Sequence, residues 1–325
     1  MRSLLEVRDL NVTFDTFDGA AHALRHIDFD VEANQAVGLV GETGSGKTVL
    51  SLAVLGLVPV PGRVEAAGIT FSGHDLLRAS RRETVARRGG DIARIPQNPM
   101  NALNPVFRIE KLLCDVIRRH SPQPKRQARK GAQKLLGWVG LPDPEVVLKK
   151  RSYELSGGMC QRVAIAMALS ANPSLLIADE PTTALDVTVQ QQIIRLINAL
   201  RVQFGSSLVW ISHDLGVIKQ TCERVHVMYT GTIVEIGSTE DVFSDPLHPY
   251  TAALIDAIPS RRKRGGDLRE IRGRVPSLLS IPAGCVFHPR CEHAVEVCRG
   301  GNPPRLESWA EGRYVACHRP DWRAR

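Results

Sequence analysis

GETGSGKTVL, residues 41–50, joins the apolar run AVGLVG (36–41) to a helix-like stretch that begins at Lys47. Glycine lets a backbone bend closely around an anion, and the N-terminus of the following helix adds a partial positive charge. In a loop of the form G-x-x-x-x-G-K-[ST], the lysine bridges the β- and γ-phosphates of a nucleotide, and the next hydroxyl holds Mg²⁺. The stretch therefore predicts a phosphate loop. Its residues are Gly41, Glu42, Thr43, Gly44, Ser45, Gly46, Lys47 and Thr48.

The composition of the 325 residues, 43% hydrophobic and 23% charged, is typical of a soluble globular protein. The longest apolar stretch, residues 49–60, is too short to cross a bilayer, and the N-terminus lacks the apolar core of a signal peptide. We therefore expect a cytosolic chain that reaches a membrane only through partners. The net charge of +8 is spread without interleaved aromatic residues, so we predict no nucleic-acid binding.

Strand-like and helix-like runs alternate through the first 235 residues or so. Short, almost wholly apolar runs are typical of parallel strands buried on both faces, and alternating runs of half-buried antiparallel strands. The apolar runs are 36–41, 174–180 and 206–214, the alternating runs are 4–14 and 23–31, and the helix-like stretches are 47–57, 109–120, 126–139, 158–170 and 188–204. The pattern predicts an α/β core with an N-terminal antiparallel β element and a helical insert at about 98–170.

Two carboxylates, Asp179 and Glu180, end the apolar run SLLIADE (174–180). Ligand sites of α/β proteins lie at the carboxyl ends of such strands. Asp179 is suited to hold Mg²⁺ through water, and Glu180 is suited to act as the general base that polarises an attacking water. With a phosphate loop about 130 residues upstream, the pair predicts a nucleotide hydrolase.

LSGGMCQRVAIAMAL, residues 155–169, places Ser156, Gly157 and Gly158 at the start of a helix. Such a start is a second anion site made of N–H groups and the helix dipole, although alone it would indicate only an ordinary N-cap. One chain has no use for two phosphate-binding helix ends around one nucleotide. In a head-to-tail pair of chains, the second site of each can close on the γ-phosphate held by the loop of the other. The sequence therefore predicts a paired ATPase.

These motifs, in this order, resemble the nucleotide-binding subunits of ABC transporters, and the resemblance covers essentially the whole chain. Residues 41–48 resemble the Walker A loop, 155–161 the signature, 175–180 the Walker B strand and 184–186 the D-loop, while Gln97 matches the Q-loop glutamine and His213 the switch histidine. The fold class that this implies is α/β: an ABC-type P-loop ATPase core with an N-terminal antiparallel β element, a helical subdomain and a small Cys-rich C-terminal extension.

The resemblance also implies roles for single residues. Gln97 would contact Mg²⁺ and the transmembrane partner, and His213 would contact the γ-phosphate rather than only cap the following helix. Phe14 is the best match to the aromatic residue that stacks on adenine, with Phe17 as its substitute. Catalysis is assigned to Lys47, Glu180 and His213, Mg²⁺ to Thr48, Gln97 and Asp179, and further ATP contacts to Ser156, Gly157, Gly158, Gln161 and Asp186. Cys160 and Pro96 occupy variable neighbouring positions, and we expect no loss of activity from them.

Two C-terminal stretches narrow the resemblance to the branch of oligopeptide and dipeptide importers. DPLHPYTAALIDAIP (245–259) is similar to the segment that follows the ATPase core in that branch. GRVPSLLSIPAGCVFHPRCEHAVEVC (273–298) resembles its C-terminal extension, including the Gly-Cys-x-Phe and Arg-Cys elements. The alternative for the first stretch is an ordinary docked helix.

Four of the seven cysteines crowd into the last 41 residues with the spacing C-x₅-C-x₆-C-x₁₈-C. They are Cys285, Cys291, Cys298 and Cys317. Four thiolates suit either Zn²⁺ or a [4Fe–4S] cluster, and spacing alone does not separate these two, while a set of reduced thiols without metal also stays open. The resemblance favours [4Fe–4S], with a structural role because the tail has few large apolar side chains. His288, His293 and His318 are alternative ligands.

The domain organisation predicted is an ATPase domain at 1–237, a linker and helical segment at 238–275, and a Cys-rich extension at 276–325. The resemblance implies ATP-powered peptide import at the cytoplasmic face of the inner membrane. Its implied partners are a second, paralogous ABC ATPase subunit, two transmembrane permease subunits and an extracytoplasmic substrate-binding protein. Three alternatives stay open: an importer for nickel, opines or other small solutes; a soluble ABC ATPase of DNA repair or translation; and a nucleotide or redox sensor without turnover.

Overall fold

A computed structural model describes residues 3–183, 185–258 and 271–324. Ala184 of the predicted D-loop and the basic run 261–264 lie outside the described residues. The strands are β1 Ser3–Thr16, β2 Gly19–Glu32, β3 Ala36–Val40, β4 Gly62–Glu65, β5 Gly68–Phe71, β6 His74–Asp75, β7 Ile92–Ile95, β8 Leu175–Asp179, β9 Ser207–Ser212, β10 Arg224–Tyr229, β11 Thr232–Ser238, β12 Glu307–Ala310 and β13 Arg313–Val315. The helices are α1 Lys47–Val54, α2 Arg81–Arg87, α3 Pro99–Ala102, α4 Ile109–His120, α5 Lys125–Trp138, α6 Pro144–Lys149, α7 Gly157–Ala168, α8 Val187–Phe204, α9 Leu215–Thr221, α10 Thr239–Ser244, α11 Pro249–Asp256 and α12 Glu296–Arg299.

The chain divides into two compact units, and the first contains the described residues of 1–31, 36–77 and 211–325. One of its sheets has the order β2-β1-β5-β6, with β4 also antiparallel to β1. The alternating burial along β1 and β2 agrees with the pattern predicted for them. A second run of strands has the order β12-β13-β11-β10-β3. In it, β3 and β10 are parallel, and all five residues of β3 are buried, as its apolar sequence predicts.

The second unit contains the described residues of 32–35 and 78–210. Strands β7 and β8 are parallel, and β8 lies between β7 and the part of β9 that belongs to this unit. Helices α4 and α5 pack against each other. Their buried residues recur at helical spacing, Leu113 and Ile117 on α4 and Ala132 and Leu136 on α5, so each helix buries one apolar stripe. The predicted helical insert, 98–170, contains α3 to α7, and its limits as a domain stay a prediction.

The ends of the elements depart from the sequence prediction where local backbone chemistry decides them. Helix α4 has the predicted bounds, whereas α1 ends at Val54 instead of residue 57. Gly56 has a φ of 59°, a left-handed conformation that stops a helix. Helix α8 begins at an N-cap, Asp186, whose carboxylate accepts the N–H of Val189 at 2.9 Å. Across the described ranges, no helix is both long and apolar enough to span a bilayer.

The described C-terminal segment, residues 271–324, packs onto the strands of the first unit. Strand β13 is antiparallel to β11, and the Ala316 N–H donates to the carbonyl of Val234 at 2.8 Å. The indole N–H of Trp322 donates to the carbonyl of Leu247 at 2.9 Å. The sequence predicted a tail too poor in apolar side chains to fold alone. Pairing with β11 gives this tail a surface on which to fold.

A buried imidazole, His226 on β10, makes the stability of the first unit depend on pH. Its ring contacts Phe29 with the centroids 4.8 Å apart, and neither ring nitrogen has a hydrogen-bond partner among the described residues. Burial, together with the charge of Arg224, lowers the pKa of His226 from 6.5 to about 3. Between these two values the unfolded chain binds a proton that the folded chain does not. Falling pH therefore destabilises the fold, by about 2 kcal/mol at pH 5.

The unfolding free energy should fall between pH 7.5 and pH 5, and in His226→Leu this fall should be about 2 kcal/mol smaller than in the wild type. The reason is that leucine has no proton to gain. Urea unfolding of the full chain at both pH values measures it. His74→Gln, on the exposed edge of β6, is the matched control and should keep the wild-type pH dependence. An unchanged pH dependence in His226→Leu would show that this imidazole is not responsible.

Candidate ATP-binding site

The phosphate loop connects β3 to α1 in the first unit, and three of its glycines have positive φ. The values are 153° at Gly41, 83° at Gly44 and 103° at Gly46. A Cβ atom on Gly41 would lie 2.1 Å from the carbonyl oxygen of Met228, and one on Gly46 would lie 2.7 Å from Leu24. Only glycine combines these dihedral angles with such close approach. The loop therefore has the shape that the sequence predicted for phosphate binding.

Lys47, the first residue of α1, is directed into the loop. Its side chain is buried, and its Nζ donates to the carbonyls of Gly41 at 2.8 Å and Glu42 at 2.9 Å. Nζ also lies 3.3 Å from the hydroxyl of Ser45. Thr48, the predicted Mg²⁺ ligand, is exposed in the first turn of α1. The ammonium group is thus held within the loop, where it can meet an anion bound by the loop backbone.

Glu180, the predicted general base, follows β8 in the second unit and is held by two donors. Gln97 Nε2 and Thr183 Oγ1 each donate to Glu180 Oε2 at 2.9 Å. The φ of Glu180 is 46°, which is costly for a residue with a side chain and is common at functional sites. The structure therefore joins two residues that the sequence singled out separately, Gln97 and Glu180. Thr183 was not predicted.

Asp179, the predicted Mg²⁺ ligand at the end of β8, is fully buried and forms an ion pair. Arg94 on the neighbouring strand β7 lies 2.6 Å from its carboxylate. Sequence reasoning missed Arg94, although one arginine within the apolar run IARI (92–95) was the available signal. A buried carboxylate needs such compensation. Thr48, Gln97 and Asp179 each carry an oxygen of the kind that Mg²⁺ prefers, and their shared role as its ligands stays a prediction.

The signature residues lie at the start of α7 in the second unit. Ser156 is the N-cap, and its hydroxyl accepts the Met159 N–H at 3.3 Å. Ser156 and Gly157 are exposed, as a contact with an outside ligand requires. Gln161 is only 1% exposed, and its amide nitrogen has no hydrogen-bond partner within the described ranges. The structure thus separates Gln161, which faces the interior, from the exposed helix start.

The remaining predicted residues differ in how far they are exposed to solvent. His213 is exposed directly after β9 and, like Phe14, belongs to the first unit. Phe14 is half-buried at the end of β1, where it pairs with Gly62 of β4, whereas Phe17 is fully exposed. Asp186 belongs to the second unit, where it caps α8. The roles assigned to these residues from the sequence stay predictions.

The four C-terminal cysteines line one small cavity together with His288, His293 and His318. Its volume is about 20 Å³, room for about one water. Burial raises the pKa of Cys291 to about 11 and that of Cys317 to about 12, so both thiols are protonated at neutral pH. Over 3–183, 185–258 and 271–324, no group of three or more His, Cys, Asp or Glu side chains is arranged to hold a metal ion. The donor chemistry of the four cysteines suits a four-thiolate centre.

Comparison with protein-family models gives two matches. The ABC transporter family matches residues 24–183, and the C-terminal region of oligopeptide/dipeptide transporters matches residues 234–298. The second match includes α11 and three of the four clustered cysteines, Cys285, Cys291 and Cys298.

Curated relatives align with this chain almost from end to end. The oligopeptide transport ATP-binding protein OppD of Salmonella typhimurium is 44% identical over 98% of this chain and 94% of its own length. The dipeptide transport ATP-binding protein DppD of Escherichia coli is 42% identical over 98% and 97%, and DppD of Bacillus subtilis is 43% identical over 100% and 97%.

Solved structures share the fold of the ATPase part. A dimeric post-hydrolysis state of the ATP-binding cassette MJ0796, bound to ADP and Pi, matches with a TM-score of 0.63 at 24% identity, covering 72% of this chain and 98% of that one. CbiO1 from Clostridium perfringens matches with a TM-score of 0.61 at 26% identity, covering 75% and 92%. These matches confirm the predicted ABC ATPase fold. The chain belongs to the ABC transporter family, and it is similar over nearly its whole length to the ATP-binding proteins of oligopeptide and dipeptide transport.

Proposed function

We propose that the chain is the ATP-hydrolysing subunit of an importer of oligopeptides or dipeptides. The observation that carries the proposal is the identity of 42–44% with OppD and DppD proteins along 98% or more of this chain. The phosphate loop, with its glycines of positive φ, and the Glu180 carboxylate, which accepts a hydrogen bond from Gln97, supply the chemistry that such a subunit needs. The end-to-end similarity favours peptide import over the nickel and opine importers and the soluble ATPases that the sequence left open.

Each of the predicted residues has its own role in ATP hydrolysis. Lys47 neutralises the β- and γ-phosphates of ATP, while the backbone N–H groups of the loop bind their oxygens. Thr48, Gln97 and Asp179 would hold Mg²⁺, which would supply positive charge beside the phosphates. Glu180 takes the proton of the attacking water, with its carboxylate oriented by Gln97. His213 contacts the γ-phosphate.

A second copy or a paralogous subunit completes each ATP site in this proposal. Ser156 and Gly157, which are exposed, and the half-buried Gly158 form a helix start that suits a γ-phosphate brought by another chain. Gln161 and Asp186 belong to the segments that would meet that partner. Adenine stacking is assigned to Phe14, with the fully exposed Phe17 as its substitute.

Exposed apolar side chains in the helical region suit a contact with membrane-embedded subunits. Val106 is 70% exposed, Phe107 38% and Tyr153 60%. They lie close together, because the Arg151 side chain donates to both the Val106 carbonyl and the Tyr153 hydroxyl. We assign this patch to docking on a transmembrane permease subunit, of which the importer would have two, and we propose that the chain lies at the cytoplasmic face of the inner membrane. An extracytoplasmic binding protein would deliver the peptide.

Purification of the full chain from its own membranes tests the proposal. We expect two membrane subunits and a second ATPase to accompany it, and the complex in proteoliposomes, with its binding protein, to take up labelled di- and oligopeptides when ATP is supplied. Uptake of nickel or opines with no uptake of peptides would contradict the peptide assignment while leaving the ATPase in place.

We further propose that the four clustered cysteines hold a [4Fe–4S] cluster, with Zn²⁺ as the alternative. Their arrangement around one cavity supports a shared centre. The role would be structural, since the tail folds against β11 with few apolar side chains. Anaerobic purification followed by iron, sulfide and zinc analysis tests it: about four irons and four sulfides per chain are expected, one zinc would support the alternative, and neither would contradict both.

A further inference from the structure

We propose that Arg290 and Tyr250, two side chains of the C-terminal part of the chain, are positioning residues for the phosphate loop. They fix Glu42, the second residue of the loop, and thereby link the Cys-rich tail to ATP binding. The inference rests on ATP binding at this loop, as proposed above.

The guanidinium of Arg290 is buried and fully engaged. Its side chain is 3% exposed, and it forms a bidentate ion pair with the Glu42 carboxylate at 2.6 and 3.0 Å. It also donates to the carbonyls of Arg272 and Ile271 and to the Tyr229 hydroxyl, at 2.9, 3.2 and 3.4 Å. These five hydrogen bonds equal the five N–H donors of an arginine. Such an arrangement fixes the position of the Glu42 side chain.

Tyr250 of α11 holds the same residue through its backbone. The Tyr250 hydroxyl accepts the Glu42 N–H at 2.8 Å. The phenol ring is fully buried against Tyr229 and Phe287, with centroid distances of 4.6 and 5.3 Å. Because this aromatic cluster fixes the ring, the hydroxyl is a rigid acceptor for the loop backbone.

Glu42 connects Arg290 and Tyr250 to the groups that bind phosphate. Its carbonyl accepts from Lys47 Nζ at 2.9 Å and from the Ser45 N–H at 3.1 Å. The N–H, the carbonyl and the carboxylate of Glu42 are therefore all bound. A shift of Glu42 would move an acceptor that sets the position of the Lys47 ammonium.

The charge of Glu42 gives Arg290 a second effect. A carboxylate in the phosphate loop repels the triphosphate, and Arg290 neutralises that carboxylate at hydrogen-bond distance. If Arg290 is replaced, the negative charge stays in the loop without this counterion. Replacing Arg290 alone should then weaken ATP binding more than replacing Arg290 and Glu42 together.

The test is a double-mutant cycle on the dissociation constant of Mg-ATP, measured by calorimetry on the full-length chain below its unfolding temperature. We expect Arg290→Gln to weaken binding about tenfold, and the double variant Glu42→Gln with Arg290→Gln to weaken it only about threefold. Arg274→Gln is the matched control. Its side chain is exposed in the same C-terminal segment, and it should bind ATP as the wild type does.

A purely structural role for Arg290 would lower the unfolding temperature without the partial rescue by Glu42→Gln, and that result would overturn the proposal. Wild-type affinity in Arg290→Gln would overturn it as well. If Arg290→Gln does not fold, Tyr250→Phe, which keeps the ring, is expected to bind ATP about threefold more weakly, and wild-type affinity there would overturn the proposal. A wild-type chain that binds no ATP would instead contradict the proposed function itself.

Discussion

Glu180→Gln is expected to lower ATP turnover in the assembled complex by about 10²- to 10⁴-fold, while the affinity for Mg-ATP stays within about threefold of the wild type. Glutamine has the size of glutamate and its amide oxygen can still accept from Gln97 and Thr183, which now donate to the carboxylate at 2.9 Å. It cannot take a proton from water at neutral pH. Turnover and equilibrium binding, measured on the same preparation, separate the two effects.

Glu65→Gln on β4, an exposed glutamate, is the control and should leave turnover unchanged. If Glu180→Gln hydrolysed ATP at the wild-type rate, Glu180 would not be the base. If it lost both turnover and binding, the carboxylate would be maintaining the site rather than taking a proton.

Lys47→Ala is expected to weaken Mg-ATP binding by about 100-fold, or about 2.7 kcal/mol, and to abolish measurable turnover. The change removes the ammonium that would face the β- and γ-phosphates. It also removes the donor that ties together the carbonyls of Gly41 and Glu42. Equilibrium binding of Mg-ATP to the full chain measures the change.

Lys130→Ala, an exposed lysine of α5, removes the same charge from the surface and should bind ATP normally. Normal binding by Lys47→Ala would mean that residues 41–48 are not the principal phosphate site. That result would leave the shape of the loop, with its three glycines of positive φ, without a functional explanation.

The sequence predicts elements whose signals are local. Helix α4 was predicted with its exact bounds, because apolar residues recur at helical spacing between clear ends. The phosphate loop was predicted because its glycine and lysine spacing is itself the structural requirement. The end of α1 was predicted three residues too late. A glycine in a helix-like run can adopt either the helical or the left-handed conformation, and the sequence does not show that Gly56 adopts the left-handed one.

Contacts between distant residues could not be predicted from local patterns. Arg94 and Asp179 are 85 residues apart, and Arg290 and Glu42 are 248 apart. Either arginine alone is compatible with an ordinary surface position, and only the fold brings each to its carboxylate. The burial of Gln161 was missed for a related reason, since a polar residue in a helix gives no sign of which face it will occupy.

In the tail, the sequence predicted the grouping of the cysteines but not the packing, and the metal stays a proposal. Cysteines close together in sequence indicated a cluster, and all four line one cavity. The antiparallel pairing of β13 with β11 and the contacts of Arg290 with the phosphate loop were not foreseen, because three-residue strands and single arginines carry little sequence signal.

Turnover per chain, followed as the isolated protein is diluted and then as it is assembled with its partner ATPase and membrane subunits, tests most directly whether each ATP site needs a second chain. We expect turnover of the isolated chain to be low and to fall further on dilution, because Ser156 and its neighbours act on the nucleotide of another copy. Assembly should raise it severalfold or more. A dilute monomer that hydrolyses ATP at the rate of the assembled complex would contradict the shared site and, with it, the role in import.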